Sequence, residues 1–386
     1  MKNFLFSEDR GALKILKKLE LKVEKNESII RKILFFSGLT WLPPLILTLI
    51  NNTAINSDIN ISFLKDFETY AKFLIGLPAL FVADNYIKYQ ISNAQIHFVE
   101  SGIISGNNVG LYEAYLKKFR RLEKSEYVKI LIFILAYILI YLLRSLASYY
   151  GKATSWKTDN ITESFTAAGY WYTFISLPLL KYYTLRLVWK FLLWSWFLRK
   201  LSKMELNLVA IDPDRSGGLG FLGTVQISFG ILGFAQSAFL SSEIANKVIF
   251  SGVPLDDFKI YVFIIPVITL IYISPLLFFN KMLSVLKLNG IMIFGALTHK
   301  YSLSFNDKWI KGIDYEEKEP LLGSADIQSL ADIGASFEVV ESMRTFPFSL
   351  RNILVMLILI SLPFIPLVTL KYDIIVILQA VAGFIF

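Results

Sequence analysis

The chain contains no cysteine and only two histidines in 386 residues. Disulfides and thiolate metal sites are excluded, and His97 and His299 have neither an HExxH helix nor a second imidazole nearby to complete a metal site. Charge is scarce too. Asp, Glu, Lys and Arg make up 18% of the chain, against roughly 25% in an average soluble protein. No GxSxG nucleophile elbow occurs, and the densest acidic run, 314–319 (DYEEKE), reads as a solvated surface. No stretch carries the residue types of a known reaction at working spacing. The expectation is a protein that is not an enzyme and has no cofactor.

What is abundant is apolar sequence: 55% of residues are hydrophobic, and the mean hydropathy is +0.54. The apolar residues cluster in runs about as long as the ~20 residues a helix needs to cross ~30 Å of hydrocarbon. The runs are 33–50, 66–87, 128–150, 167–198, 219–241, 260–280 and 352–370. They lack the period-two alternation of barrel strands, and backbone groups in hydrocarbon must pair within their own segment, so helices are expected. The fold class implied is an all-α, polytopic transmembrane bundle of about seven spans. A last run, 374–386, is short for a span and reads as interfacial or re-entrant. The start of the chain breaks its apolar character at Ser7–Arg10, which does not fit a cleavable signal core.

Basic residues set the orientation. Of 39 Lys and Arg, 27 fall in segments 1–32, 88–127, 199–218 and 281–351, and six in the intervening loops. The positive-inside bias then puts the amino terminus and residues 281–351 in the cytoplasm. The same bias accounts for the net charge of +8 without nucleic acid. Segment 1–32 reads as an amphipathic helix against anionic headgroups. Residues 33–280 form six spans with a helical cytoplasmic loop at 88–127, 281–351 a cytoplasmic segment, and 352–386 the last span and its interfacial piece. In 281–351, Ser324 or Asp326 caps a helix bearing Ile327, Leu330, Ile333, Phe337 and Val340, which ends near Phe346–Pro347. Partners are the bilayer and its anionic headgroups, with self-association left open.

Eight of 12 prolines lie inside spans, several as Leu-Pro, so Pro-kinked helices are expected. Either neighbouring helices satisfy the carbonyls that proline frees, or those carbonyls line a cavity. No clear internal repeat is visible.

The turn Asp212–Gly223 is the sharpest local feature. Gly218, Gly220 and Gly223 match GxGxxG, but no βαβ unit surrounds them. Asp212, Asp214, Ser216 and Gly217 open like a calcium loop, yet Gly223 stands where the bidentate Glu belongs. Asp212 and Asp214 are therefore weak metal candidates. Gly217, Gly218, Gly220 and Gly223 read as a structural turn with close helix packing. This turn and 321–348 (LLGSADIQSLADIGASFEVVESMRTFPF) resemble a group of bacterial multispanning membrane proteins with a PDxxGGLGFL-type loop and an LLGSADIQSLAD-type segment. Relatives often carry His where this chain has Asp212. No activity is attached to that group, so the resemblance implies a bacterial inner-membrane location and no reaction.

Charges inside the spans are the remaining candidates: Lys72 and Asp84 in the second, Lys129 and Arg144 in the third, Lys181, Arg186 and Lys190 in the fourth. At bilayer depth each costs ~2.5–3.5 kcal/mol unless it snorkels, pairs or faces a cavity. Lys129 and Arg144 lie near span ends and snorkel, or Arg144 meets Asp66 or Glu68. Asp84 matches Arg186 and Lys190 in depth, and these are one helical turn apart on one face. Asp84, Arg186, Lys190 and Lys181 are the expected lining of a channel or transport path for an ion or small solute. The alternative is a non-transporting scaffold or sensor acting through 281–351. With no native thiol to interfere, Ser324→Cys should resist an impermeant thiol reagent added outside intact cells and react after permeabilisation. Labelling from outside would reverse the topology.

Overall fold

The structure, a computed structural model, describes residues 26–55, 59–106, 108–147, 155–158, 164–312 and 325–371. Among them every regular element is helical, and extended pairing is limited to two isolated bridges, Ile61 with Ser155 and Thr158 with Phe165. The helices are α1 (Asn26–Ile50), α2 (Leu77–Glu100), α3 (Asn108–Lys124), α4 (Glu126–Ala147), α5 (Leu177–Leu201) and α6 (Phe221–Ser228). They continue with α7 (Gly230–Ser251), α8 (Ile264–Ile273), α9 (Asn280–Phe305), α10 (Ala325–Glu341) and α11 (Leu350–Ser361).

Four stretches are long and apolar enough to cross a membrane: Ser28–Ile50, Phe221–Ser251, Leu255–Ile310 and Leu350–Val368. Asn108–Lys124 and Glu126–Leu142, bent by 47°, make a fifth if counted together. The runs expected at 66–87 and 167–198 form long helices too, but their polar and charged residues leave them less apolar. Phe221–Ser251 is the central stretch, 67% buried in its most apolar window, whereas Leu350–Val368 is 17% buried and peripheral. Helix α7 packs against α2, α8 and α11, and α2 packs against α1 and α5. Large apolar side chains such as Leu34, Phe35, Leu131, Phe133, Leu354 and Ile358 cover the outside, which suits lipid contact and not water.

Two departures concern 281–351. It opens as α9, which prolongs the sixth apolar run instead of folding apart from it, with Leu288, Met292 and Ile293 exposed. Helix α10 ends at Glu341, well before Pro347. Asp326 pairs with Lys308 (2.9 Å) and the Trp309 indole (3.1 Å). Ser324, the 314–319 run, most of the segment 1–32 and 374–386 lie outside the described residues.

A repeat escapes the sequence but not the structure. Asp66 caps the turn Phe67–Tyr70, a π turn follows at Ala71–Gly76, and α2 starts at Leu77-Pro78. Thr166 caps Ala167–Trp171, a π turn follows at Tyr172–Ser176, and α5 starts at Leu177-Pro178. Helices α1 and α4 precede the two units. Both junctions read Ile-x-Leu-Pro-x-Leu, and the wide π turn accommodates the proline ring.

The prolines also explain how the helices are joined. Proline has no N–H, so it frees the carbonyl four residues back, which in hydrocarbon needs another donor. Pro43 and Pro44 lie within α1. The carbonyl of Leu39 accepts from the Trp171 indole at 3.1 Å, and that of Thr40 from the Ser176 hydroxyl at 2.9 Å. The carbonyl of Phe174, freed by Pro178, accepts from the Tyr137 hydroxyl at 3.0 Å. Each of these three oxygens thus becomes a bond between helical segments.

At the end where α1 terminates, Asp66 is fully buried. Its carboxylate accepts from Trp156 Nε1 (2.9 Å), Asn246 Nδ2 (2.7 Å) and the Glu68 N–H (3.0 Å). Lys157 lies 3.2 Å from Asp66 and 3.1 Å from Glu68, and Lys72 pairs with Glu68. Burial alone would depress the Lys157 ammonium, but the two carboxylates hold its pKa well above the usual lysine value. Asp66 and Glu68 are thus held by Lys157 and Lys72, and the Arg144 side chain lies outside the described residues.

Ser176→Ala should leave the Thr40 carbonyl without a donor and cost about 1–3 kcal/mol. Adding Pro44→Ala returns an N–H to that carbonyl, so the double variant should unfold at a higher temperature in detergent than Ser176→Ala. Equal unfolding temperatures would break the link between proline and hydroxyl.

Candidate functional site

Asp84 lies on α2 and Arg186 and Lys190 on α5, two helices that pack side by side. The Lys190 ammonium is 2.6 Å from one carboxylate oxygen of Asp84, and Arg186 Nη2 is 3.3 Å from the other. Lys190 also donates to the Asp84 carbonyl at 3.3 Å. Asp84 therefore meets both bases. Their surroundings differ: the Lys190 side chain is 6% exposed, Arg186 36% and Asp84 25%. Lys190 is held in a dry site by a single carboxylate, while most of the Arg186 fork of five N–H donors stays unused by Asp84.

Around the three residues opens a pocket of about 290 Å³ walled by α1, α2, α3, α4 and α5. Its lining has six bases (Lys32, Lys88, Lys124, Lys129, Arg186, Lys190) against two acids, Asp84 and Glu123. Lys129 pairs with Glu126 at 2.7 Å. The Trp189 indole belongs to the same wall, and no described residue accepts from its buried N–H. One turn further into the bundle the pocket is closed by rings: Phe36 on Phe81 at 5.4 Å, Phe81 on Tyr183 at 4.5 Å and Phe36 on Tyr183 at 5.6 Å. Beyond the rings, about 18 Å along the helix from Asp84 at ~1.5 Å per residue, comes Lys72.

Lys181, expected with the Asp84 cluster, is not in the pocket lining. Its charged neighbours are Lys72, Glu243 and Glu68, so it belongs beyond the rings. The reason is helical phase: Lys181 is five residues from Arg186, on another side and one turn deeper. The sequence reading missed Lys32, Lys88, Lys124 and Trp189. A signal existed, since each of the three lysines lies at the basic end of an apolar run, at the depth of Asp84.

The glycine turn stands apart from this pocket. Asp214 accepts from the N–H groups of Ser216 (2.6 Å), Gly218 (3.1 Å) and Gly220 (2.6 Å). Asp212 accepts from the Asp214 N–H at 3.0 Å. Burial, with the like charge of Asp214 nearby, raises the Asp212 pKa even against that N–H. The turn is an anion nest filled by its own carboxylate. Asp214 thus spends both oxygens on backbone N–H groups, and Asp212 one of its two. Gly217 and Gly218, at φ +65° and +91°, need the left-handed region. Gly220 faces Asp214, and a side chain at Gly223 would strike Asn352. Arg344 closes the turn by donating to the Asp214 carbonyl (2.8 Å) and the Ser216 hydroxyl (3.0 Å). The turn at 212–223 and the segment that carries Arg344 are thus two sides of one contact.

Among the described residues no three His, Cys, Asp or Glu gather as metal ligands. No known protein family, characterised protein or solved structure matches the chain.

Asp84→Asn should strand the Lys190 ammonium in its buried site, at a cost of about 2–3 kcal/mol after allowance for partial exposure. Lys190→Met in the same chain should recover most of that loss, whereas Arg186→Gln, half in solvent, should recover little. Thermal unfolding of the four detergent-solubilised proteins reads the cycle, and additive effects of Asp84→Asn and Lys190→Met would mean that the two side chains act independently.

Proposed function

We propose that the protein is a seven-span membrane protein, its basic end in the cytoplasm, that carries an ion or small solute through the Asp84 pocket. One observation supports this above the rest: a charged pocket ends blindly at the Phe36, Phe81 and Tyr183 rings. Beyond the rings a second charged group follows, Glu68 and Lys72 on the turns that lead into α2 and Lys157 in the loop before α5. Polar sites on both sides of an apolar constriction are the layout of a closed path, since an ion crosses only when the constriction wets. Charges at this depth are costly in a structural helix, and facing a common path offsets that cost. In this reading the seven runs all span, α2 and α5 keeping their polar residues toward the path. The resemblance adds the bacterial inner membrane as location.

A second reading has an observation of its own. The α9–α10 hairpin leaves Leu288, Met292 and Ile293 exposed at 63%, 73% and 65%, a face that a scaffold or sensor would use.

Purified protein in liposomes should release entrapped small ions above protein-free liposomes. Phe81→Ala should raise that flux several-fold, and Asp84→Asn should lower it about ten-fold. Flux at background in the parent chain and in Phe81→Ala, with the fold intact by thermal unfolding, would end the transport reading in favour of the hairpin.

A further inference from the structure

A second depression adjoins the Asp84 pocket and differs from it in character. It is an open groove of about 660 Å³ along α1, α2 and the start of α7, lined by Ile30, Ile33, Val82, Tyr86, Tyr89 and Ile231. Its lining is apolar apart from the Tyr hydroxyls and Asn85. Ile29 and Asn85 line both depressions, so groove and pocket meet edge to edge. Tyr86 and Tyr89, at 39% and 44% exposure, sit where aromatic side chains mark a membrane–water interface. From the junction the groove runs along Ile33 and Val82 toward the middle of the bundle.

We propose that pocket and groove together bind one phospholipid with a phosphate-monoester headgroup, the phosphate in the basic pocket and an acyl chain in the groove. The inference rests on the reading of the Asp84 pocket as a ligand site and names its occupant. Four things carry it. With Lys129 paired to Glu126 and Lys32 left aside, the lining keeps Lys88, Lys124, Arg186 and Lys190 against Asp84 and Glu123, a surplus of two suited to a headgroup of roughly −1.5 to −2 charge. The donors come from three helices and are separate: Lys88 on α2 and Lys124 on α3, which make no ion pair with described residues, and the Arg186 fork on α5. A phosphate has three free oxygens to meet such donors, and a carboxylate only two. The basic pocket is also continuous with an apolar groove that a free inorganic ion would leave empty, whereas a lipid places an acyl chain in it. Asp84 gives the exchange step: it keeps Lys190 paired while Arg186, held only at 3.3 Å, turns to the incoming phosphate.

The test uses the full chain in nanodiscs of phosphatidylcholine containing a small fraction of phosphatidic acid, or of diacylglycerol with the same chains, and native mass spectrometry of what stays bound. Phosphatidic acid should be retained at least ten-fold over diacylglycerol. Lys88→Gln with Lys124→Gln, two substitutions away from the core, should lower retention about ten-fold with the unfolding temperature unchanged. Val82→Trp, which fills the groove, should weaken the lipid while leaving any competition by inorganic phosphate as it was. Equal retention of phosphatidic acid and diacylglycerol, or no response to the lysine pair, overturns the proposal. Inorganic phosphate that binds the pocket while Val82→Trp has no effect on the lipid would make this a free-phosphate site and likewise overturn it. Lipid binding without liposome flux keeps this site and removes transport; flux together with equal retention of the two lipids does the reverse.

Discussion

A backbone carbonyl in hydrocarbon has to find a donor, and this bundle is organised around carbonyls that proline has released. Pro43 and Pro44 free the oxygens of Leu39 and Thr40, and Trp171 and Ser176 reach across from the second unit to take them. Pro178 frees Phe174, and Tyr137 supplies the hydroxyl. A defect within one helix thereby becomes a directional tie to another. Such ties matter more in lipid than in water, because apolar packing alone gives little reason for one helix to prefer another over lipid tails. Two of the three join α1 to the turn that precedes α5, and so bring the first repeated unit against the second.

The buried ions complete that arrangement at the end where α1 terminates. Asp66 is held by Trp156 from the loop before α5 and Asn246 from α7, so one carboxylate fixes three parts of the chain. A buried ion is worth its desolvation only when every lone pair is met, and here the carboxylate has four donors. At the basic end the pairing is looser. Among the described residues Lys190 has Asp84 as its one acidic partner, Arg186 meets it through a single nitrogen, and the lysines around them outnumber the acids. The first group reads as a lock. The second reads as a site with capacity left for a ligand.

The glycine turn shows how a motif can be legible and its meaning still depend on the fold. Its φ-positive positions follow from the glycines themselves. What fills the nest is Asp214 of the same turn, and what seals it is Arg344, more than a hundred residues later.

By itself the sequence determined that the chain is helical and apolar enough to meet lipid, and that Asp84 shares a depth with Arg186 and Lys190. Each of these depends on local composition or on the fixed rise of a helix, which need no knowledge of neighbours. The tertiary structure decided which side of each helix faces which partner. It put Lys181 beyond the rings and gathered Lys32, Lys88, Lys124 and Trp189 into one wall. It also revealed a repeat whose sequence trace is little more than Ile-x-Leu-Pro-x-Leu, because a proline junction constrains backbone shape strongly while lipid-facing side chains are free to differ.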